Sequence, residues 1–238
     1  LCPCAPTSHL DGPRRRPACL MLRRLSRRLN RASLPACGLV LALALFPARA
    51  LTAEAAGGDY RQRLVPTPHG WPKRQSWCVW IEPAAWDQLW LQAVEAALAS
   101  WAELVTIHRS ESRESAQVQI LRRRPPLQRG RASHGRAELA LATNKPGDSP
   151  KIEPRVVVSI SPGQRPDAIQ ATALHELGHA FGMWGHSDQP QDAMAGVPGP
   201  TPVLQLTARD RATFIWLQQQ PGLPGSDATS AGDQVGCH

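Results

Sequence analysis

Apolar residues recur at three- and four-residue steps over residues 86–105, and this spacing predicts a long amphipathic helix. Its apolar stripe carries Trp86, Trp90 and Trp101 together with several alanines and leucines. Stripes rich in aromatic and small side chains are typical of packed cores. We therefore expect this helix to pack against a sheet and not to bind a ligand.

Residues 77–82 form a short β-favouring run, and residues 117–122, 136–142 and 155–160 follow as further strand candidates. The connections between them are rich in Pro, Gly, Arg, Asp and Ser, which is typical of loops. With the first helix, these strands give the order β-α-β-β-β.

Two further helices follow the strands. Asp167, with Gln170 three residues later, predicts an N-terminal capping box, and Gly182 suits the end of that helix because glycine tolerates a positive φ. A last helix is predicted from Thr207, with Asp210 in the matching cap position, up to the next proline.

Net charge is unevenly distributed along the 238 residues. The formal charge is +8 and the sequence pI about 9.8. Residues 1–50 hold nine basic residues and one acidic residue, whereas residues 51–238 hold eighteen of each sign. The basic pI therefore gives no reason to expect a nucleic-acid partner, although residues 122–124 form a short arginine run.

The first fifty residues resemble a secretory leader. A basic run after Met21, where translation could start, precedes an apolar run over residues 38–46 and then Ala48-Arg49-Ala50. The apolar run is too short to span a bilayer, so we predict cleavage after Ala50, secretion or export to a periplasm, and no stable membrane insertion. An uncleaved leader that anchors the chain is the alternative.

Four of the six cysteines lie in this leader, which leaves Cys78 and Cys237 for the exported part. In an oxidising compartment they either pair or remain a buried thiol and a free terminal thiol. Residues 51–76 are rich in Pro and Gly and predict a linker or short pro-segment. We expect residues 77–220 to form the folded domain and residues 221–238 to form a flexible tail.

The segment His175-Glu176-Leu177-Gly178-His179 carries the chemistry. Side chains four residues apart share one face of a helix, so His175 and His179 can bind one ion while Glu176 faces a water on that ion. Zinc is the metal expected for histidine ligands with an open coordination position. Glu176 is then the expected catalytic base, taking a proton from the zinc-bound water and passing it to the leaving amine.

A third histidine, His186, follows a helix-ending glycine and is the third expected ligand. The pattern resembles that of metzincin metallopeptidases of the matrixin-like, bacterial secreted group, H-E-x-x-H-x-x-G-x-x-H, and His186-Ser187 resembles the matrixin continuation. The chain departs from the family in one respect. His186 stands one residue late, with Gly185 in the usual place of the histidine, and Asp188 is the alternative third ligand.

The resemblance implies an α+β zincin fold. Its parts are a twisted, mostly parallel sheet of about four to five strands, a long backing helix, the active-site helix, a Met-turn and a C-terminal helix. Met194 is the Met-turn candidate. Beyond one catalytic zinc ion, calcium remains open because no calcium loop is recognisable.

The resemblance also implies a peptide or protein substrate held antiparallel to an edge strand, for which residues 136–142 are the candidate. Trp184 either walls the substrate cleft or packs under the loop. We expect a monomeric zinc endopeptidase. Two alternatives stay open, namely a zinc-binding module without activity and a zinc amidase or aminopeptidase that acts on small substrates.

Overall fold

A five-stranded sheet with helices packed on it makes up the computed structural model, which describes residues 58–127, 133–143, 151–225 and 237. The elements in chain order are β1 (Ser76–Ile81), α1 (Gln88–Ala102), β2 (Thr106–Arg109), β3 (Val118–Leu121), β4 (Gly135–Thr143), β5 (Ile152–Ile160), α2 (Pro166–Ala180) and α3 (Ala208–Gln218).

The strands lie in the order β2-β1-β3-β5-β4. The pairs β1/β2, β1/β3 and β3/β5 are parallel, whereas β4 runs antiparallel to β5 at the edge of the sheet. The predicted fold class, a mixed α/β fold with a mostly parallel sheet of four to five strands, is confirmed. The assignment of residues 136–142 to an edge strand is confirmed as well.

The predicted element order lacked β2. This strand has four residues, none of which is fully buried, so it carries little of the apolar alternation that marks a strand. It joins the sheet through backbone pairing with β1, and the order of the sheet elements is therefore β-α-β-β-β-β.

Helix α1 begins two residues later than predicted. The Asp87 carboxylate accepts a hydrogen bond from the Trp90 backbone N–H at 3.2 Å and caps the helix, which leaves Trp86 outside it and 76% exposed. Trp90 and Trp101 are fully buried, as expected for core residues. The Trp101 indole N–H donates to the Leu174 carbonyl at 2.9 Å, which fixes α1 against α2.

The predicted cap of α2 is wrong. The helix begins at Pro166, so Arg165 takes the cap position and Asp167 lies inside the first turn. Proline is favoured at the first helical position because its φ is already helical and it has no N–H to leave unpaired. At the other end, Gly182 has φ +110°, which confirms its predicted role after the helix.

Helix α3 begins as predicted. The Thr207 hydroxyl accepts a hydrogen bond from the Asp210 backbone N–H at 3.2 Å, and the Asp210 carboxylate accepts one from the Thr207 backbone N–H at 2.9 Å. This is a complete capping box. The helix ends at Gln218, before the proline that was expected to stop it.

The folded part starts earlier than Trp77. Tyr60 and Leu64 are buried in the main hydrophobic cluster, so residues 58–76 pack on the domain and do not form a loose linker. Removal of residues 51–76 as a pro-segment stays a prediction.

The far end of the chain also contacts the domain. Leu223 is buried, and Cys237 forms a disulfide with Cys78, with the two Cα atoms 5.6 Å apart. The leader, residues 51–57 and most of the predicted tail lie outside the described residues. None of the helices in the described ranges has the length and apolar character needed to cross a bilayer.

Candidate metal centre

Helix α2 presents His175 and His179 one turn apart, with their ring centroids separated by 4.9 Å. His186 lies beyond the end of the helix, and its ring centroid is 5.2 Å from that of His175 and 4.9 Å from that of His179. One ring nitrogen from each of the three histidines lies within 4.8 Å of the others. The structure therefore brings together the three residues predicted as metal ligands.

Backbone carbonyls orient two of the three rings. The Nδ1 atom of His175 lies 2.9 Å from the Ala193 carbonyl oxygen, and that of His179 lies 2.7 Å from the Met183 carbonyl oxygen. A carbonyl oxygen only accepts hydrogen bonds, so each Nδ1 carries the proton and donates it. The Nε2 lone pair of each ring is then free to bind a metal ion.

Burial keeps these imidazoles neutral. It lowers the pKa of His175 to about 4 and that of His179 to about 3, with the neighbouring histidines adding to the effect and the backbone carbonyls partly opposing it. The pKa of His186 is also lowered by burial, although this ring is the most exposed of the three. A neutral imidazole is the form that binds a metal ion, so the set suits zinc without prior deprotonation.

The loop between α2 and His186 turns at Gly185. Gly185 has φ +153°, and a Cβ built on it would lie 2.1 Å from the Arg63 carbonyl oxygen. Only glycine fits this close approach. Asp188, the alternative ligand, lies outside the histidine cluster and instead pairs with Arg209 at 3.0 Å and Arg63 at 3.4 Å.

Met194 lies in a turn that closes under α2. The Ser187 N–H donates to the Met194 carbonyl at 2.7 Å, and the Met194 side chain is fully buried. A Cβ on Gly178 would lie 2.1 Å from the Met194 sulfur, which explains why the metal-binding helix has a glycine at this position. The assignment of Met194 to a Met-turn stays a prediction.

Two buried aspartates hold this turn, and sequence reasoning did not assign either to the site. Asp210, identified only as a helix cap, accepts hydrogen bonds from the backbone N–H groups of Ala193 at 2.9 Å and Met194 at 3.4 Å. Asp192 accepts hydrogen bonds from Arg209 at 2.7 Å and from the Thr207 hydroxyl at 2.7 Å. The only signal in the sequence was the cap position of Asp210.

Glu176 lies on the side of α2 that faces the edge strand. Burial raises the pKa of its carboxyl group to about 7, opposed by a hydrogen bond from the Ala137 backbone N–H and by the charge of Arg136. A Cβ on Gly135 would lie 2.7 Å from the Glu176 Oε1 atom, so a glycine at the start of β4 leaves room for the carboxylate.

A cleft of about 320 Å³ lies beside this carboxylate. Its walls come from His175, Glu176 and Thr172 of α2, from His134 ahead of β4 and from Val203 in the loop before α3. Trp184 is not part of this wall. Its ring stacks on that of His179, with centroids 5.4 Å apart and planes 19° apart, so it packs against a candidate ligand.

Comparison with known proteins gives distant structural likenesses. No family model matches the chain, and no curated protein matches it in sequence. A structure of myroilysin has a TM-score of 0.38 and 11% identity, covering 64% of this chain and 97% of that one. Metalloproteinase-II from Bacteroides fragilis has a TM-score of 0.35 and 19% identity, covering 65% of this chain and 56% of that one. These likenesses are too distant to assign a family, so the function rests on the geometry of the site.

Proposed function

We propose that this chain is a zinc-dependent endopeptidase in which His175, His179 and His186 bind zinc and Glu176 is the catalytic base. The main support for this proposal is the cluster of three neutral histidines next to the buried carboxylate of Glu176. A structural zinc site closes its fourth position with protein and needs no base, whereas among the described residues only three ligands cluster here, and the Glu176 carboxylate lines the same cleft as His175.

The chemistry follows from the groups at the site. Bound zinc supplies a Lewis acid that polarises a carbonyl and lowers the pKa of a coordinated water. Glu176 accepts the proton as the water attacks the scissile carbonyl carbon, and it then donates this proton to the leaving amine. A carboxyl group whose pKa is raised toward 7 is suited to both roles at neutral pH.

The edge strand supports an extended peptide as substrate. Ala137 N–H donates to Glu176, and Gly135 at the start of β4 lines the same cleft as His175 and Glu176, so the edge strand borders the proposed base. A peptide paired with that edge would have its backbone held by strand addition and one side chain in the adjacent cleft. A substrate bound by strand addition can extend past the site in both directions, which favours cleavage within a chain.

The disulfide supports the proposed location. Structural disulfides persist in oxidising compartments, so the Cys78–Cys237 pair favours a secreted or periplasmic protein over a cytosolic one. The proposed enzyme acts as a monomer on a peptide or protein substrate.

The test compares the parent protein with Glu176→Gln, which keeps the size of the side chain and removes its basicity. Zinc content and casein cleavage are measured together, and Glu111→Gln, at an exposed carboxylate away from the site, is the control. We expect about one zinc per chain in all three proteins. Loss of activity by about 10²- to 10⁴-fold is expected only in Glu176→Gln.

Other outcomes separate the alternatives. Zinc binding with release of terminal residues, but without internal cleavage of casein, would indicate an aminopeptidase or amidase. Zinc binding without any hydrolysis would favour a binding module. Absence of zinc from the parent protein would overturn the site assignment.

A further inference from the structure

A short segment ahead of the first strand contacts, at two places, residues that adjoin or orient the candidate metal ligands. This segment, residues 60–65, is called the brace below; it includes a single turn of 3-10 helix at Arg61–Arg63. Its residues lie more than a hundred positions from the histidines in sequence. We infer that the brace is a positioning element for the metal site, an inference that rests on the proposed zinc function.

The first contact fixes the loop that carries the third histidine. Val65 N–H donates to the Trp184 carbonyl at 2.7 Å, and Leu64 forms an antiparallel bridge with Gly185. Trp184 stacks on the ring of His179, and Gly185 directly precedes His186. The brace therefore lies against the residues between two candidate ligands.

This contact also restrains the loop that leads to His186. A free loop has many backbone conformations to lose when its histidine is fixed on a metal ion. Pairing with Leu64 gives that loop a fixed backbone partner. The pairing requires glycine at position 185. The backbone there has a positive φ, and a Cβ at this position would lie only 2.1 Å from the Arg63 carbonyl oxygen.

The second contact reaches the first histidine through the turn. The buried Tyr60 hydroxyl donates to the Asp210 carboxylate at 2.6 Å. The same carboxylate accepts from the Ala193 N–H, and the Ala193 carbonyl accepts from Nδ1 of His175. Tyr60 is thus linked through Asp210 and the backbone of Ala193 to a candidate ligand.

A brace of this kind limits where the chain can be processed. Cleavage ahead of residue 60 leaves both contacts in place, whereas cleavage between residue 65 and β1 would free the brace to dissociate. Of the predicted linker or pro-segment, residues 60–65 therefore belong to the mature metal site.

The test uses a pair of variants in the full chain. Val65→Pro removes the N–H that bonds to Trp184, and the extended backbone of Leu64, at φ −85° and ψ 145°, suits a residue before proline. Val65→Ala keeps that N–H and changes only a side chain that is 65% exposed. A third variant, Tyr60→Phe, removes the hydroxyl and keeps the buried ring.

Zinc affinity is measured by competition with a chromogenic chelator, together with the visible spectrum of the cobalt-substituted protein and the urea unfolding midpoint. We expect about tenfold weaker zinc binding and an altered cobalt spectrum in Val65→Pro, a smaller loss in Tyr60→Phe and parent-like binding in Val65→Ala. If Val65→Pro does not fold, the zinc affinity and cobalt spectrum of Tyr60→Phe test the inference.

Lower unfolding midpoints with unchanged zinc affinity and cobalt spectrum would give the brace a stabilising role only and overturn the inference. Failure of the parent protein to bind zinc would instead refute the proposed function. The two failures are therefore distinguishable.

Discussion

The sulfur of Met194 lies against the backbone of Gly178, in the space that a side chain at position 178 would need. A Cβ built there would approach the sulfur to 2.1 Å and the ring of Trp101 to 3.1 Å. The glycine between the two candidate ligands of α2 is therefore a packing requirement of the turn below it.

Gly178→Ala tests this relationship. Alanine favours a helix over glycine by about 1 kcal/mol, so a gain in stability would be expected at an unobstructed site. Here we expect a net loss of about 1–3 kcal/mol in the free energy of unfolding, because the core is overpacked. The measurement is urea unfolding of the metal-free protein.

A double variant supplies the control for that clash. Met194→Ala removes the obstructing sulfur, so Gly178→Ala should cost much less in its presence. Equal costs in both backgrounds would mean that the sulfur is not the cause.

The stability of the metal-free protein should depend on pH through three buried groups. The pKa values of His175 and His179 are lowered on folding, so their contribution is present above about pH 6.5 and is lost as the pH falls toward 4 and 3. The pKa of Glu176 is raised to about 7, so its contribution is present below about pH 4.5 and is lost as the pH rises through 7.

Between about pH 6.5 and 4.5 the two histidines oppose the single carboxyl group. We expect the protein treated with chelator to lose stability on acidification, by on the order of 1 kcal/mol per pH unit if each group contributes fully. Glu176→Gln removes the opposing group and should steepen this loss. A stability curve that is flat over this range, or the same in both proteins, would contradict the assignment.

Removal of the disulfide should destabilise the domain. The pair joins residues 159 positions apart, and in the chain-entropy model a crosslink of this span is worth about 5 kcal/mol. We expect the double variant Cys78→Ala/Cys237→Ser to unfold at a clearly lower temperature than the parent.

The parent protein with a reducing agent is the companion measurement. Reduction should lower its melting temperature toward that of the double variant and leave the variant unchanged. If reduction also shifts the variant, or leaves the parent unaffected, the bond does not stabilise the fold.

The parts of the site that follow local rules could be predicted from the sequence. His175 and His179 are four residues apart on a predicted helix, so their shared face follows from helix geometry alone. Thr207 and Asp210 likewise define a capping box by spacing. The fourth strand was predicted at residues 136–142 and extends one residue further at each end, to Gly135–Thr143, whereas its place at the edge of the sheet was expected only from the family resemblance.

The parts that depend on distant contacts could not be predicted in this way. Tyr60 and Asp210 are 150 residues apart, and nothing in the pattern around either residue indicates the other. The pairing of Leu64 with Gly185 could not be predicted either, because it joins backbone atoms, which are the same in every residue. Strand β2 was missed because its short, exposed run has no apolar alternation to detect.

Asp210 joins the start of α3 and the Met194 turn into one cooperative unit. The same carboxylate closes the first turn of α3 and binds the backbone N–H groups of the Met194 turn. Fraying of α3 at its start would release the turn, and opening of the turn would weaken the helix. The amide protons of Ala193 and Thr207 should therefore exchange with solvent through a shared opening event, with the same free energy of opening.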